Sequence, residues 1–423
     1  MKGQMRPAPL ASPHRPSDEA SFAYHGWRVV FACFVMAALC WGFGFYGHGF
    51  YLVELQRRTG WPASLISGAS TLYYLSSAAL VIFINDAVRR FGAHVCVIMG
   101  AAALAGSAGV LPFITDPWQL IAAYLVMALA WATMSLGAIN VILGLWFTAR
   151  RGLAISLALN GASFGGVVVV PGLVFLAGAA GFTTAMLTGA AFILALMIPI
   201  AWTILGRSGE PGRQAQEPDA ATDAANPQPT SWTRARALGS LAFWSVSAPF
   251  ALAITSQAGF LVHEIAFLEP TIGRYAAGIA VAITTSMAIV GRLVLGAASQ
   301  RLDQRLAAAL SLATQAGALA AMTLASDPVL LFAACAVYGF SVGNVITFPS
   351  LIIQREFEAA AFGMLIGLST GISQFTYAFG PGLLGLVRDA AGGYGAALGL
   401  CIALNLAAAA ILLWRPTPAP AGA

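Results

Sequence analysis

Charge is scarce in this chain. Asp, Glu, Lys and Arg make up 9% of its 423 residues, against about 25% in a soluble globule, too few to coat the surfaces of two or three water-soluble domains. Lipid must therefore be the outer solvent. The net charge of +5 is modest and sits in loops, which suits anionic headgroups and offers no nucleic-acid footprint. Cysteine is also sparse: Cys33, Cys40, Cys96, Cys335 and Cys401 fall inside apolar runs, odd in number and without CxxC spacing, and read as small buried hydrophobes. The histidines are scattered, there is no metal-ligand cluster and no GxxxxGKS phosphate loop, so neither an enzyme, a metal site nor a cofactor is expected. Nothing before Arg28 resembles a signal-peptide core, so the first helix is expected to be retained.

What the chain has instead is apolar sequence, with 59% hydrophobic residues and a mean hydropathy of +0.80, and that sequence is written twice. GFYLVEL from Gly49 recurs as GFLVHEI from Gly259, and the same offset of 210 carries Gly161, Ser163, Pro171 and Gly172 onto Gly371, Ser373, Pro381 and Gly382. Asp116-Pro117 and Asp327-Pro328 repeat with a slip of one, as do Arg90 and Arg301. Parallel halves in so apolar a chain are a mark of secondary transporters, whose substrate sits where the halves meet.

Six long apolar stretches lie in each half, over 28–55, 63–86, 93–114, 118–147, 153–179 and 182–205, then 241–268, 275–299, 306–325, 329–353, 362–387 and 394–414. Each is near or above the ~20 residues a helix needs to cross the hydrocarbon. The expected fold is an all-α membrane protein with twelve transmembrane helices in two pseudo-symmetric six-helix bundles, 26–206 and 239–415. A Pro- and Gln-rich linker over 207–238 joins them, and tails cover 1–25 and 416–423. Basic residues crowd the even-numbered gaps and the termini, while odd gaps hold only Arg57, Arg58, Arg274 and Arg388. Both termini and the linker are therefore expected in the cytoplasm, and a bacterial inner membrane is the expected setting.

NDAVRRFGAH from Asn85 and GAASQRLDQR from Gly296 follow the second and eighth stretches. Both resemble the loop signature GxLxDRxGxR of the major facilitator superfamily, whose charges pair across helix ends and hold one conformation. The acidic position holds Arg89 in one copy and Gln300 in the other; the last Arg is His94 or Arg305, and Asp303 replaces a glycine. Asp86, one turn earlier, is the candidate replacement for the lost acid. Asp86, Arg89, Arg90, Arg301 and Arg305 are thus the expected conformational-switch residues. WFTARRGLAISLALNGASFGG from Trp146, YHGWRVV from Tyr24 and GRLVLG from Gly291 are similar to the monocarboxylate and oxalate/formate branch of that superfamily. The branch pattern is incomplete: Phe45 and Tyr46 stand where some members have a first-helix lysine, and Ala288 replaces an acid.

Arg292 is the only lysine or arginine well inside an apolar stretch, which costs at least ~2.5 kcal/mol unless an anion, a backbone acceptor or water compensates. A guanidinium suits a carboxylate, and the resemblance implies an eighth-helix Arg holding an organic anion. The alternative is that it snorkels to the headgroups beyond Ser299. His48, among Gly42, Gly44, Gly47 and Gly49, marks a place where the first helix bends or unwinds. It is a candidate for substrate or proton binding, against an ordinary interhelical histidine. His263 and Glu264 are further proton-coupling candidates, although Glu264 is the repeat-mate of Glu54 and that symmetry favours a structural place at the rim. The superfamily's cavity-lining helices imply Tyr46, Asn140, Asn160, Gln257, Asn344 and Gln374 as substrate contacts. Gly161, Gly165, Gly166, Gly367 and Gly371 are expected where the halves pack closely.

The expected function is secondary transport of a small, monocarboxylate-like organic anion by alternating access, with proton symport as one coupling mode and a monomer as the working unit. Efflux of amphipathic drugs or metabolites by the same fold is the alternative, served by apolar aromatic residues such as Phe43, Phe45, Trp131 and Phe348.

Overall fold

The computed structural model describes residues 19, 21, 24–206, 232–298 and 302–414, all helix or connecting turn, with no strand among them. Among the described residues twelve helices are long and apolar enough to cross a membrane: α1 Gly26–Thr59, α2 Ala63–Val81, α3 Ala93–Phe113, α4 Pro117–Gly144, α5 Arg151–Ala180, α6 Phe182–Leu205, α7 Leu241–Ile272, α8 Arg274–Leu295, α9 Gln304–Leu324, α10 Pro328–Val345, α11 Ala359–Ala391 and α12 Tyr394–Leu413. The expected stretches all appear, the tenth and the second divided near their ends: the tenth ends at Val345 and a separate short helix, Phe348–Glu356, follows it. Another short helix, Ile84–Phe91, follows α2.

The repeated Asp-Pro pairs are helix starts. Asp116 and Asp327 are the N-caps of α4 and α10, with proline in the first turn where no intrahelical N–H is needed. Asp327 accepts from the Leu330 amide at 3.0 Å, and Asp116 forms a capping box with Gln119. Gly181 and Gly392, one repeat apart, turn α5 into α6 and α11 into α12 with φ of +87° and +71°, conformations that a Cβ would strain.

Packing follows the duplication. The pairs α1–α5, α2–α4, α3–α4 and α3–α6 of the first half recur as α7–α11, α8–α10, α9–α10 and α9–α12 of the second. Small residues let these backbones approach, which is how membrane helices gain contact without a hydrophobic driving force between them. A Cβ on Gly161 would lie 2.0 Å from the Phe34 carbonyl oxygen, and one on Gly165 2.3 Å from that of Ala38, so both pack on α1 within one half. Of the glycines expected between the halves, only Gly166 meets the other half, at Thr285, while Gly367 and Gly371 border open space. Spacing reveals a small-residue stripe but not which neighbour it faces. The halves meet through α2 with α11, α1 with α7, and α5 with α8.

The linker is not tether to its end. Trp232 is buried against Phe357, and Arg234–Gly239 forms a short helix capped by Thr233, because an indole buries enough apolar area to pin the chain. Residues 207–231 lie outside the described residues.

Candidate functional site between the halves

With twelve spans, α1 begins and α12 ends at the same face of the bundle, termed here the terminal face; the opposite one is the far face. Beyond the middle of the membrane the far face is stitched across the halves. Glu54 near the end of α1 accepts from Arg274 at the start of α8. Arg57 donates to Glu54 at 3.2 Å and to Glu269 of α7 at 2.5 Å. Asp389 of α11 accepts from the Ser64 amide at the start of α2 at 2.7 Å, and Thr71 accepts from the Gly382 amide at 3.2 Å.

At the terminal face, the bonds of Glu19 and Arg305 stay within their own halves. Glu19 accepts from the amides of Thr148, Ala149 and Arg150 at 2.8, 3.4 and 2.8 Å and from the Thr148 hydroxyl. Burial alone would raise its pKa, but these donors outweigh it and hold the carboxyl below its usual value of 4.5. Arg305, 3% exposed, grips Glu356 with two nitrogens at 2.6 and 2.7 Å, the Ser245 hydroxyl at 2.9 Å, and the carbonyls of Leu412 and Trp414. It ties the ends of α7, α9 and α12 to the short helix Phe348–Glu356. Among the described residues the first copy of the loop has no such network: Asp86, Arg89 and Arg90 are exposed and form no salt bridge there. In the helix Ile84–Phe91 the apolar Ile84 and Val88 face the core, which leaves Asp86 in solvent. Arg301 lies outside the described residues.

Between these faces sits Arg292, half-buried on α8. Its Nε donates to the Ala288 carbonyl at 3.3 Å and its Nη2 to the Ser163 hydroxyl of α5 at 2.5 Å. The side chain folds back toward the helix N-terminus, as helical side chains do, away from the terminal-face headgroups that the snorkelling alternative requires. No carboxylate pairs with it among the described residues. One turn along α5, Gly166 leaves the space in which Tyr46 and Thr285 converge; a Cβ there would lie 3.0 Å from the Tyr46 ring and 2.5 Å from the Thr285 methyl.

Tyr46 ends a π-helical turn, Gly42–Tyr46, in α1, and this packs on a second one, Gly165–Val169, in α5. Such turns free a carbonyl from the helical ladder and concentrate at functional places; here the Phe43 carbonyl accepts from Tyr51 Oη at 3.0 Å. The glycines around His48 thus produce a widened turn just before it rather than an unwound helix. His48 is 1% exposed and surrounded by the rings of Tyr51, Tyr73, Tyr74 and Tyr124. Its Nδ1 lies 3.2 Å from Tyr74 Oη, and Nε2 has no protein partner.

Glu264 is fully buried. It accepts from the Thr284 hydroxyl of α8 at 2.7 Å, and its second oxygen has no protein partner. Its repeat-mate Glu54 lies in the far-face ion network, so the repeat does not give the two acids one job. His263 uses both ring nitrogens, with the Pro381 carbonyl at 3.1 Å and Tyr394 Oη at 3.0 Å. Since a carbonyl only accepts, Nε2 carries hydrogen there.

The remaining expected contacts do not converge on Arg292. Gln257 donates to the Val342 carbonyl at 3.5 Å and Asn344 to that of Phe340 at 3.2 Å, both inside the second half. Asn140 is half-buried and its carbonyl accepts from Arg151 at 3.3 Å. Asn160 and Gln374 are exposed; Gln374 continues an exposed stripe of α11 through Gly363, Gly367 and Gly371, around which there is open space.

The family model described as Major Facilitator Superfamily matches residues 30–355. The chain belongs to the Major Facilitator Superfamily. No curated protein matches it. Among solved structures it is similar to a bacterial homologue of the human lysosomal transporter Spinster, in an inward-facing and occupied conformation. The TM-score is 0.68 at 15% identity, over 93% of this chain and 96% of that one; a likeness at this identity speaks to fold alone. As a superfamily member the chain is a multi-pass membrane transporter of small molecules and not an enzyme. Sequence reasoning missed Ser163 and Thr284 as partners of Arg292 and Glu264. Ser163 was visible as a repeat position, but a hydroxyl that bonds across halves has no local signature.

Proposed function

We propose that this transporter carries a small, monocarboxylate-like organic anion through a central cavity that opens alternately to either face, with Arg292 as the counter-ion. The observation that carries this reading is a guanidinium between the halves, held by Ser163 and paired with no carboxylate among the described residues. A cation in that position calls for a mobile anion, and a substrate carboxylate satisfies it bidentately. Tyr46, which packs on Gly166 one turn along α5 from Ser163, is the next contact; the exposed Asn160 and Gln374 are proposed to meet the cargo on its way to Arg292, and His48, Asn140, Gln257 and Asn344 support the helices around it. The terminal face is cytoplasmic, in a bacterial inner membrane.

Proton symport neutralises the carried charge. Glu264 is the proposed carrier, because a buried carboxylate with one oxygen unpartnered and no cation beside it is costly unless it holds a proton. It bonds Thr284, eight residues from Arg292, or ~12 Å along α8 at 1.5 Å per residue. His48 is the second candidate through its unpartnered Nε2, while His263 has both nitrogens engaged and locks α7 to α11 and α12. The efflux reading keeps one observation in its favour, the half-buried rings of Phe45 and Trp131 between the helices.

The test is uptake of labelled lactate or pyruvate into proteoliposomes under an inward proton gradient. Accumulation that Arg292→Gln abolishes and Glu264→Gln uncouples from pH supports the proposal. Uptake only into vesicles preloaded with another anion replaces symport by exchange, and transport of amphipathic cations with Arg292→Gln unimpaired replaces the anion by the efflux reading.

A further inference from the structure

An interrupted belt of aromatic rings lies at mid-membrane, where the rings that anchor helices at the lipid–water boundary do not belong. Trp41, Phe45 and Tyr46 of α1, Trp131 of α4 and Tyr377 of α11 are all half-buried. They touch in series: Trp41 with Trp131 at 4.8 Å between centroids, Phe45 with Tyr46 at 4.8 Å, and Phe45 with Tyr377 at 6.1 Å and only 19° between planes. Tyr74 of α2 backs Tyr377 at 4.7 Å. Tyr377 comes from the second half and the others from the first, so the wall spans the line along which the halves meet.

The wall runs into the Arg292 position. Tyr46 fills the space left by Gly166, and Ser163, which holds Arg292, lies one turn from Gly166 on the same helix. The Arg292 side chain folds toward Ala288, in the direction of the far face. An anion held there would have polar contacts on one side, and Tyr46, with Phe45 against it at 4.8 Å, is the ring of the belt placed beside that position. A cargo of two or three carbons would leave most of that ring surface uncovered, whereas a flat apolar body would cover it and gain edge-to-face contacts. An aromatic lining that served only to close the far side would need no cation at its edge.

Resting on the anion reading above, we infer that the preferred cargo is a carboxylate carried on an aromatic or similarly flat apolar body, its carboxylate at Arg292 and its ring against Phe45, Tyr46 and Trp131.

The test measures binding of benzoate, phenylacetate, acetate, lactate and uncharged benzyl alcohol to the full chain in nanodiscs. Benzoate and phenylacetate are expected to bind about 10-fold tighter than acetate and lactate, the size of effect that burying one ring among others supports. Trp131→Ala and the milder Phe45→Leu, the latter in case the former does not fold, should each remove about 5-fold or more of the aryl affinity and weaken lactate by less, so that the ratio of benzoate to lactate affinity falls. Arg292→Gln should abolish binding of all four acids. Lactate binding as tightly as benzoate, with both still requiring Arg292, would overturn the aryl inference and leave the anion reading standing. Benzyl alcohol binding as tightly as benzoate, or benzoate binding untouched in Arg292→Gln, would remove the anion reading and this inference together.

Discussion

The best-connected charges at the two faces of the bundle make different kinds of contact. At the far face Glu54, Arg57, Glu269 and Arg274 interlock residues of both halves, and Asp389 reaches from α11 to the start of α2. At the terminal face Glu19 and Arg305 bind only within their own half. Contacts between rigid bodies break when those bodies rock, and contacts inside one body travel with it. The halves are joined by these bonds at the far face, while the exposed stripe of Gly363, Gly367, Gly371 and Gln374 leads from the terminal face toward Tyr377 and the aromatic wall. In the proposed cycle the far-face charges are the parts that change partners, and the terminal-face clusters keep each half a unit.

The largest break in that comparison should come from Arg305. Arg305→Ala leaves Ser245 and two carbonyls without their donor and strips Glu356 of its cation; losing one member of a buried pair costs about 3–5 kcal/mol. Because Glu356 is about one-third exposed, the low end is expected. Thermal melting in detergent should fall sharply, with Arg305→Lys only partly restoring it because a lysine cannot make the two-pronged contact.

Arg292→Gln comes next in size. It should leave melting nearly unchanged but lose about 2–5 kcal/mol of anion binding, roughly 30-fold or more in affinity, as read by isothermal titration. A structural guanidinium would show the reverse, lower melting with intact binding.

Glu54→Gln is expected to act on orientation rather than on folding. Arg57 is 45% exposed on its side chain, so solvent screens its pairs, each worth about 1 kcal/mol or less, while the Arg274–Glu54 pair, 26% and 8% exposed, is screened less. The expected result is a several-fold shift toward the state open at the far face, seen as a new distance population between spin labels on α1 and α7. The paired reversal Glu54→Arg with Arg274→Glu should return most of it.

The smallest effect belongs to Glu19. Its folded pKa lies below the unfolded value of 4.5, so the stabilisation is present above pH 4.5 and is lost as the pH falls through the folded pKa. Amide exchange at Thr148, Ala149 and Arg150 should accelerate below pH 4.5, and Glu19→Gln should accelerate it at neutral pH and remove the pH dependence.

Much of the fold was legible because it rests on two long-range signals, apolar length and duplication. The Asp-Pro pairs even mark the starts of α4 and α10, where a side-chain cap and a ring without an N–H act locally. The site was less legible. Arg292 stands out because one charge in an apolar run is costly wherever it points, but its bond to Ser163 depends on how α8 meets α5. Repeat symmetry misled in two places. Glu54 and Glu264 share a repeat position, yet one lies at the boundary between the halves and the other inside one of them. Gly161 and Gly371 share another, yet one touches a backbone and the other borders open space. Duplication preserves position within a half, while the neighbour across the interface depends on the tilt between halves. The two loop copies differ for a plainer reason: Arg305 finds Glu356 within reach, and Asp86 sits on the solvent side of its short helix.

Access to the middle of α11 tests the central claim most directly. With Gln374→Cys in reconstituted vesicles of known orientation, a membrane-impermeant thiol reagent should modify the residue from the terminal face and not from the far face. Adding Glu54→Gln should open a second route from the far side. Modification from the far face with the ion network intact, or protection from both faces because the residue lies in lipid, would contradict the account.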